Sequence, residues 1–280
     1  TLYRQLTTLR PLVKDHTLAG IHLEGPWINP EQAGAHPRTA LRNPDIRETE
    51  QLLNTHGDII TMITLAPELP GAQQMIRQLV DAGITAAIGH TNADYETTQA
   101  SIEAGARVAT HLGNKMPHLH RRKPGAAGAL LENPHVYCEL ILDGHHLHPG
   151  FEHILLNALG PRRACAITDA TAGAGAPDGN YRLGDLGITV QSRKAVVTGT
   201  KTLAGSTLTM NQTLARLVTT HNLELADAAA ATSTTPAHAL GLKGPGTLQP
   251  GGAADLIITN SCGTITAVMK AGQWLHHAKT

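Results

Sequence analysis

Short apolar runs alternate with longer mixed stretches through the first 169 positions. The runs are 19–24 (AGIHLE), 59–65 (IITMITL), 85–90 (TAAIGH), 108–111 (VATH), 137–143 (YCELILD) and 164–169 (ACAITD). Runs of this length, rich in Ile, Val and Thr, predict strands. The stretches 45–56, 71–82, 94–104 and 149–158 carry helical spacing. Gly83 and Gly105 stand where helix ends need a left-handed residue, and Asp94 stands at a helix start. Strands that alternate with helices predict a parallel sheet, and continuously apolar strands predict one covered on both faces.

The pattern changes after residue 169. Residues 170–205 are rich in Gly and Thr and read as a long loop with a hairpin within 181–198. Two helices are expected at about 206–221 and 224–231. The tail reads as short strands with turns, part of a small β domain. No internal repeat or low-complexity tract interrupts the chain.

The 280 residues suffice for one large barrel or two smaller domains. Twenty-two basic side chains balance 22 acidic ones, which argues against nucleic acid as a partner. No apolar run reaches membrane-span length, so no membrane partner is expected. The first residues have no signal-peptide pattern, and the three widely spaced cysteines do not suggest a disulfide framework, so a reducing cytoplasm is expected. Aromatic residues make up only 2% of the chain, so the core must be aliphatic. The 17 histidines change the picture most, because several lie at the ends of apolar runs.

Five of the six predicted strands end in a titratable residue: Glu24, His90, His111, Asp143 and Asp169. Parallel α/β folds carry their chemistry at that strand edge. A carboxylate and two imidazoles meeting there, with a position left for water, would make a catalytic metal site. A further carboxylate is needed to take and return a proton.

The segments HLEGPW (22–27), GHTNA (89–93), THLGNKMP (110–117), DGHH (143–146), TDA (168–170) and LAGSTLTM (203–210) occur in this order. Together they closely resemble the N-acetylglucosamine-6-phosphate deacetylase family of the amidohydrolase superfamily. The tail, TPAHALGL followed by GTLQPGGAADLIIT, is similar to that superfamily's return into a small β-sandwich. The resemblance implies a (β/α)8 TIM barrel, incomplete here, with strands 3–8 present. Residues 1–243 would form it, and residues 244–280 would supply C-terminal strands of the sandwich. Because the sixth strand carries the eighth-strand Asp, two strands and a first-strand His-x-His segment are expected upstream of Thr1.

The resemblance also implies roles. Glu24, His90 and His111 would hold one divalent metal ion, zinc by default, with iron, cobalt or manganese compatible. Asp169 would be the catalytic base and acid. Ala35, His36, Asn114, Lys115, Arg122, His146 and Leu203 would contact a phosphorylated N-acetyl amino sugar. A homodimer is expected. The reaction implied is hydrolysis of the acetamide of N-acetylglucosamine 6-phosphate to acetate and glucosamine 6-phosphate. Lys115 departs from the family's usual Ala, and Gly113 from its usual aromatic. The basic run HLHRRKP (118–124) suits a phosphate.

Each residue also has a plainer reading. A lone strand-end His is usually a core or surface residue, Glu24 or Asp169 alone can serve a turn, and Lys115 with Arg122 can be a solvated basic face. Asp143 reads as structural. Three readings stand: this deacetylase or its galactosamine counterpart, another amidohydrolase deacylase, and an inactive truncated fragment.

Overall fold

A computed structural model describes residues 2–277. The chain divides into two compact units, Thr1–Cys138 and Glu139–Thr280. The strands expected from the apolar runs form one six-stranded sheet whose order follows the chain.

In the first unit β1 (Ile21–Glu24), β2 (Ile60–Leu65), β3 (Thr85–Ile88) and β4 (Val108–Ala109) are successive parallel neighbours. The start of β5 (Tyr137–Ile141) pairs in parallel with β4. β3 is buried along its whole length, as its unbroken apolar sequence requires. The intervening helices are α2 (Ile46–His56), α3 (Ala72–Asp81), α4 (Tyr95–Glu103) and α5 (Gly125–Glu132). Met75, Ile76 and Leu79 of α3 are buried at the spacing of one helix face. The Asp94 side chain accepts from the Thr97 amide at 2.8 Å and caps α4. Gly83 and Gly105 take φ of +73° and +110° just beyond their helices.

Two helices of this unit were not expected. α1 (Leu2–Lys14) contains Pro11, a residue that argues against a helix interior. Contacts hold it: Leu6 is 1% exposed, and Arg10 donates to Asp58 at 2.6 Å. α5 (GAAGALLE) has Gly125 to Leu130 buried continuously, so no polar face marks its period.

The second unit contains the rest of β5, then α6 (Pro149–Leu159) and β6 (Ala164–Ile167). Cys165 is buried at 2%, as its apolar surroundings predicted. The supposed loop 170–205 is more ordered than expected. It holds an antiparallel sheet of β7 (Gly179–Leu183), β8 (Leu186–Gln191) and β9 (Lys194–Val197). The β8–β9 turn is Ser192-Arg193, both at positive φ (51° and 63°), a geometry that sequence normally signals with Asn-Gly.

α7 begins at Met210 and runs to Thr219, shorter than expected, because Ser206 is already engaged in a parallel bridge with Ala170. α8 (Leu225–Ala229) passes through a π-helical turn, Ala230–Thr234, into α9 (Thr235–Ala239). The tail forms an antiparallel sheet of β10 (Leu256–Thr259), β11 (Ile265–Lys270) and β12 (Gln273–His277). Among the described residues no helix is long and apolar enough to cross a membrane.

Candidate metal centre

Strand register sets the level of the first imidazole pair. Ile88 of β3 pairs with Ala109 of β4, so His90 and His111 each stand two residues beyond that rung. Both leave their strands at left-handed backbone angles, φ 49° and 30°. Histidine visits that region more readily than most residues, but holding it costs energy, and such positions cluster at functional sites. Gly89 permits the approach. A Cβ there would lie 2.8 Å from Thr110 Cβ and 2.9 Å from Thr64 Cγ2.

Glu24 closes the group from the end of β1. Its Oε1 lies 2.9 Å from His90 Nε2 and 2.7 Å from His111 Nε2, and the two Nε2 atoms are 3.1 Å apart. His90 and His111 are nearly buried, at 4% and 5% exposure. Burial alone would raise the Glu24 carboxyl. The imidazoles of His111 and His90 outweigh it and hold the group well below the usual carboxylate range. His36, expected only to touch substrate, places Nε2 3.5 Å from Glu24 Oε2. Glu24, His36 and His90 therefore also form a set of closely spaced donor atoms. Burial pushes the His36 imidazole down, against the upward pull of Glu24.

The donor chemistry fits a cation. His90 Nδ1 lies 2.6 Å from the Gln32 carbonyl, an acceptor, so that nitrogen carries the hydrogen. Its Nε2 points at the Glu24 oxygen and at His111 Nε2, so when the rings are neutral their lone pairs and the carboxylate converge on one point that a cation would satisfy. Two imidazole nitrogens and a carboxylate at these separations match the donor set of a catalytic zinc site.

The loops that carry the group are tied together. The Asn29 amide donates to the His90 carbonyl at 3.0 Å, and the Thr91 amide to the Lys115 carbonyl at 3.0 Å. Glu68, three residues beyond β2, accepts from Asn29, Thr91 and Asn92. Glu68 is not among the residues expected from sequence, because β2 ends on Leu65 and not on a titratable residue. No sequence pattern marks it, because its partners at 29, 91 and 92 are distant along the chain.

The other residues expected in this unit are spread along its loops. Ala35 and His36 are partly exposed, after a 3-10 turn at Pro30–Gln32. Asn114 is partly exposed, and its amide donates to the His111 carbonyl at 3.0 Å. Lys115 and Arg122 are exposed, with Lys115 at φ 51°. A Cβ on Gly34 would lie 3.2 Å from the Lys115 stem and 3.3 Å from His90 Cε1, so the Gly34 turn packs against both.

The second unit holds the remaining predicted residues. Asp169 follows β6 by two positions and takes φ 48°, like His90 and His111 beyond their own strands. Its carbonyl accepts from the Ser206 amide at 2.7 Å, and a Cβ on Gly205 would lie 2.6 Å from that oxygen. Leu203 is partly exposed and bridges to Val196.

The Asp143 carboxylate accepts from the amides of His145 (2.8 Å) and His146 (2.9 Å) and lies 2.8 Å from His146 Nδ1. Burial alone would raise Asp143, but the His146 contacts hold it below its ordinary range. The structural role expected of Asp143 is therefore to orient His146. Beneath this loop Glu152 of α6, fully buried, accepts from the Gly144 amide at 2.9 Å. Arg216 donates to the Leu142 carbonyl at 2.6 Å and to Glu152 at 3.3 Å.

A parallel sheet with a carboxylate at one strand end and two imidazoles just beyond two others is the layout of a candidate metal-dependent hydrolase. The chain belongs to the amidohydrolase family, whose pattern matches residues 5–275. It is 42% identical to N-acetyl-D-glucosamine-6-phosphate deacetylase of Mycobacterium smegmatis, solved as a mutant with N-acetyl-D-glucosamine-6-phosphate. That likeness has a TM-score of 0.93 and covers 98% of this chain and 72% of that one.

Among curated relatives, N-acetylglucosamine-6-phosphate deacetylase of Vibrio furnissii is 35% identical over 94% of this chain. N-acetylgalactosamine-6-phosphate deacetylase of Escherichia coli is 38% identical over 86%. The chain spans 66% and 64% of those relatives' lengths.

Proposed function

We propose that this chain carries the site that hydrolyses the acetamide of N-acetylglucosamine 6-phosphate, releasing acetate and glucosamine 6-phosphate. The meeting of Glu24 Oε1, His90 Nε2 and His111 Nε2 within 3.1 Å of one another carries the reading. The names of the relatives supply the substrate class. The galactosamine isomer is the second reading, favoured by the Escherichia coli relative.

In this reading Glu24, His90 and His111 hold one divalent cation, zinc by its ligand chemistry. When bound, such a cation polarises the acetamide carbonyl and lowers the pKa of water to about 7. Asp169 accepts a proton from the attacking water as the new C–O bond forms. It returns the proton to the departing nitrogen as the C–N bond breaks, so the carboxylate ends as it began. His146 donates a hydrogen bond to substrate from Nε2 when protonated, its ring fixed by Asp143; His36 is the alternative donor to the developing oxyanion. Ala35, Asn114, Lys115, Arg122 and Leu203 contact the sugar phosphate, with Asn114, the Lys115 amide and Arg122 on the phosphate and Leu203 over the sugar.

The finer architecture goes with the reaction. The six strands correspond to strands 3–8 of a (β/α)8 barrel over residues 1–243, and residues 244–280 to strands of a small β-sandwich. A cytoplasmic homodimer is part of the same proposal. The test is a comparison of zinc-loaded protein on the phosphorylated and unphosphorylated acetyl sugars. Acetate release favouring the phosphorylated sugar by tenfold or more in kcat/KM is expected. Equal rates on both would overturn the substrate assignment.

A further inference from the structure

We propose that Glu68 is a positioning residue of the cation site, setting the affinity of the Glu24–His90–His111 group without touching the ion. The inference rests on the reading of those three residues as ligands. The Glu68 carboxylate ties its own loop to two other segments of the chain. Oε1 accepts from Asn29 Nδ2 at 2.8 Å and from the Asn92 amide at 2.6 Å. Oε2 accepts from Thr91 Oγ1 at 2.5 Å. Thr91 and Asn92 directly follow His90, and Asn29 belongs to the loop that supplies the Gln32 carbonyl to His90 Nδ1.

The surrounding bonds make Glu68 a hub. Thr91 is fully buried and also accepts from the Ala93 amide at 2.9 Å. Asn29 donates from its amide to the His90 carbonyl, and its side chain accepts from the Glu31 amide at 2.8 Å. Gln32 and Asn92 bond side chain to side chain at 2.5 Å. The carboxylate therefore fixes both sides of His90 at once: the backbone that leaves the ring and the loop that orients it. His90 stands at φ 49°, a conformation that relaxes unless neighbours hold it. Groups that orient a metal-binding imidazole typically alter affinity 10- to 100-fold when removed.

The test is zinc affinity by competition with a chromophoric chelator, on the metal-free protein, with folding followed by circular dichroism. Glu68→Ala is expected to weaken zinc 10- to 100-fold while the folded signal persists. Glu68→Gln keeps a carbonyl acceptor and is expected to recover most of the loss. A folded Glu68→Ala that binds zinc as wild type does would overturn the proposal. Glu68→Gln as weak as Glu68→Ala would assign the effect to charge and would also overturn it. Should Glu68→Ala fail to fold, Thr91→Val decides: weakening of several-fold supports the hub, and wild-type affinity overturns it. Deacetylation is not read in this assay. A chain that binds zinc as expected but hydrolyses nothing refutes the proposed reaction and leaves the role of Glu68 standing.

Discussion

At the scale of single residues, the cation site and the Asp143–His146 pair respond differently to solution conditions. Glu24→Gln keeps the shape of the carboxylate but not its charge. Zinc affinity is expected to fall at least 100-fold and turnover with it, read by metal analysis and acetate release. Asp143 gives a pH signature. Its carboxyl sits below its unfolded value, so its contribution to stability is full above about pH 4 and fades as pH falls through the folded value. Asp143→Asn is expected to cost about 1–3 kcal/mol near neutrality, for a buried acceptor that loses charged partners. The gap from wild type should narrow below pH 4 in denaturant titrations, and a constant gap from pH 7 to pH 3 would refute it. The three side chains that meet were legible in sequence, since Glu24, His90 and His111 terminate apolar runs. Glu68 was not, because a hub of hydrogen bonds leaves no periodic trace, and its partners at 29, 91 and 92 are distant in sequence.

At the scale of elements, turns decide where side chains point. Gly205 runs against the Asp169 carbonyl at φ 67°, with no room for a Cβ. Gly205→Ala is expected to displace the Ser206–Asp169 bond and to destabilise the protein by about 1–3 kcal/mol, from a strained backbone. Thermal melting checks the cost, and in the proposed reaction kcat should fall while zinc content stays. The α6–α7 contact makes a second prediction. Glu152→Ala leaves Arg216 and His221 beside a buried vacancy, His221 Nε2 having stood 2.9 Å from the lost carboxylate. A loss of about 3–5 kcal/mol is expected from chemical denaturation. The six sheet strands were legible because burial on both faces makes their apolar runs continuous. α1 was hidden by Pro11 and α5 by its unbroken burial, while of β7–β9 only a hairpin within 181–198 was legible, because the Ser192-Arg193 turn lacks its usual glycine. In each case contacts distant in sequence overrule a local signal.

At the scale of the whole molecule, the presence of all three proposed ligands in one unit, Thr1–Cys138, has a measurable outcome. Zinc at 100 times its Kd is expected to add about 2.7 kcal/mol to the state that binds it. Chelation should therefore speed hydrogen exchange in β1, β3 and β4 and leave β7–β9 unchanged. Uniform acceleration through both units would refute that assignment. The ligand backbones also dictate how the metal hypothesis must be probed. His90 and His111 sit where branched side chains are penalised and Asn is tolerated. A valine at either place would confound a lost ligand with a clashing main chain. Asparagine removes the imidazole while accepting the same curl of the chain, so it is the replacement whose lost activity can be charged to chemistry alone.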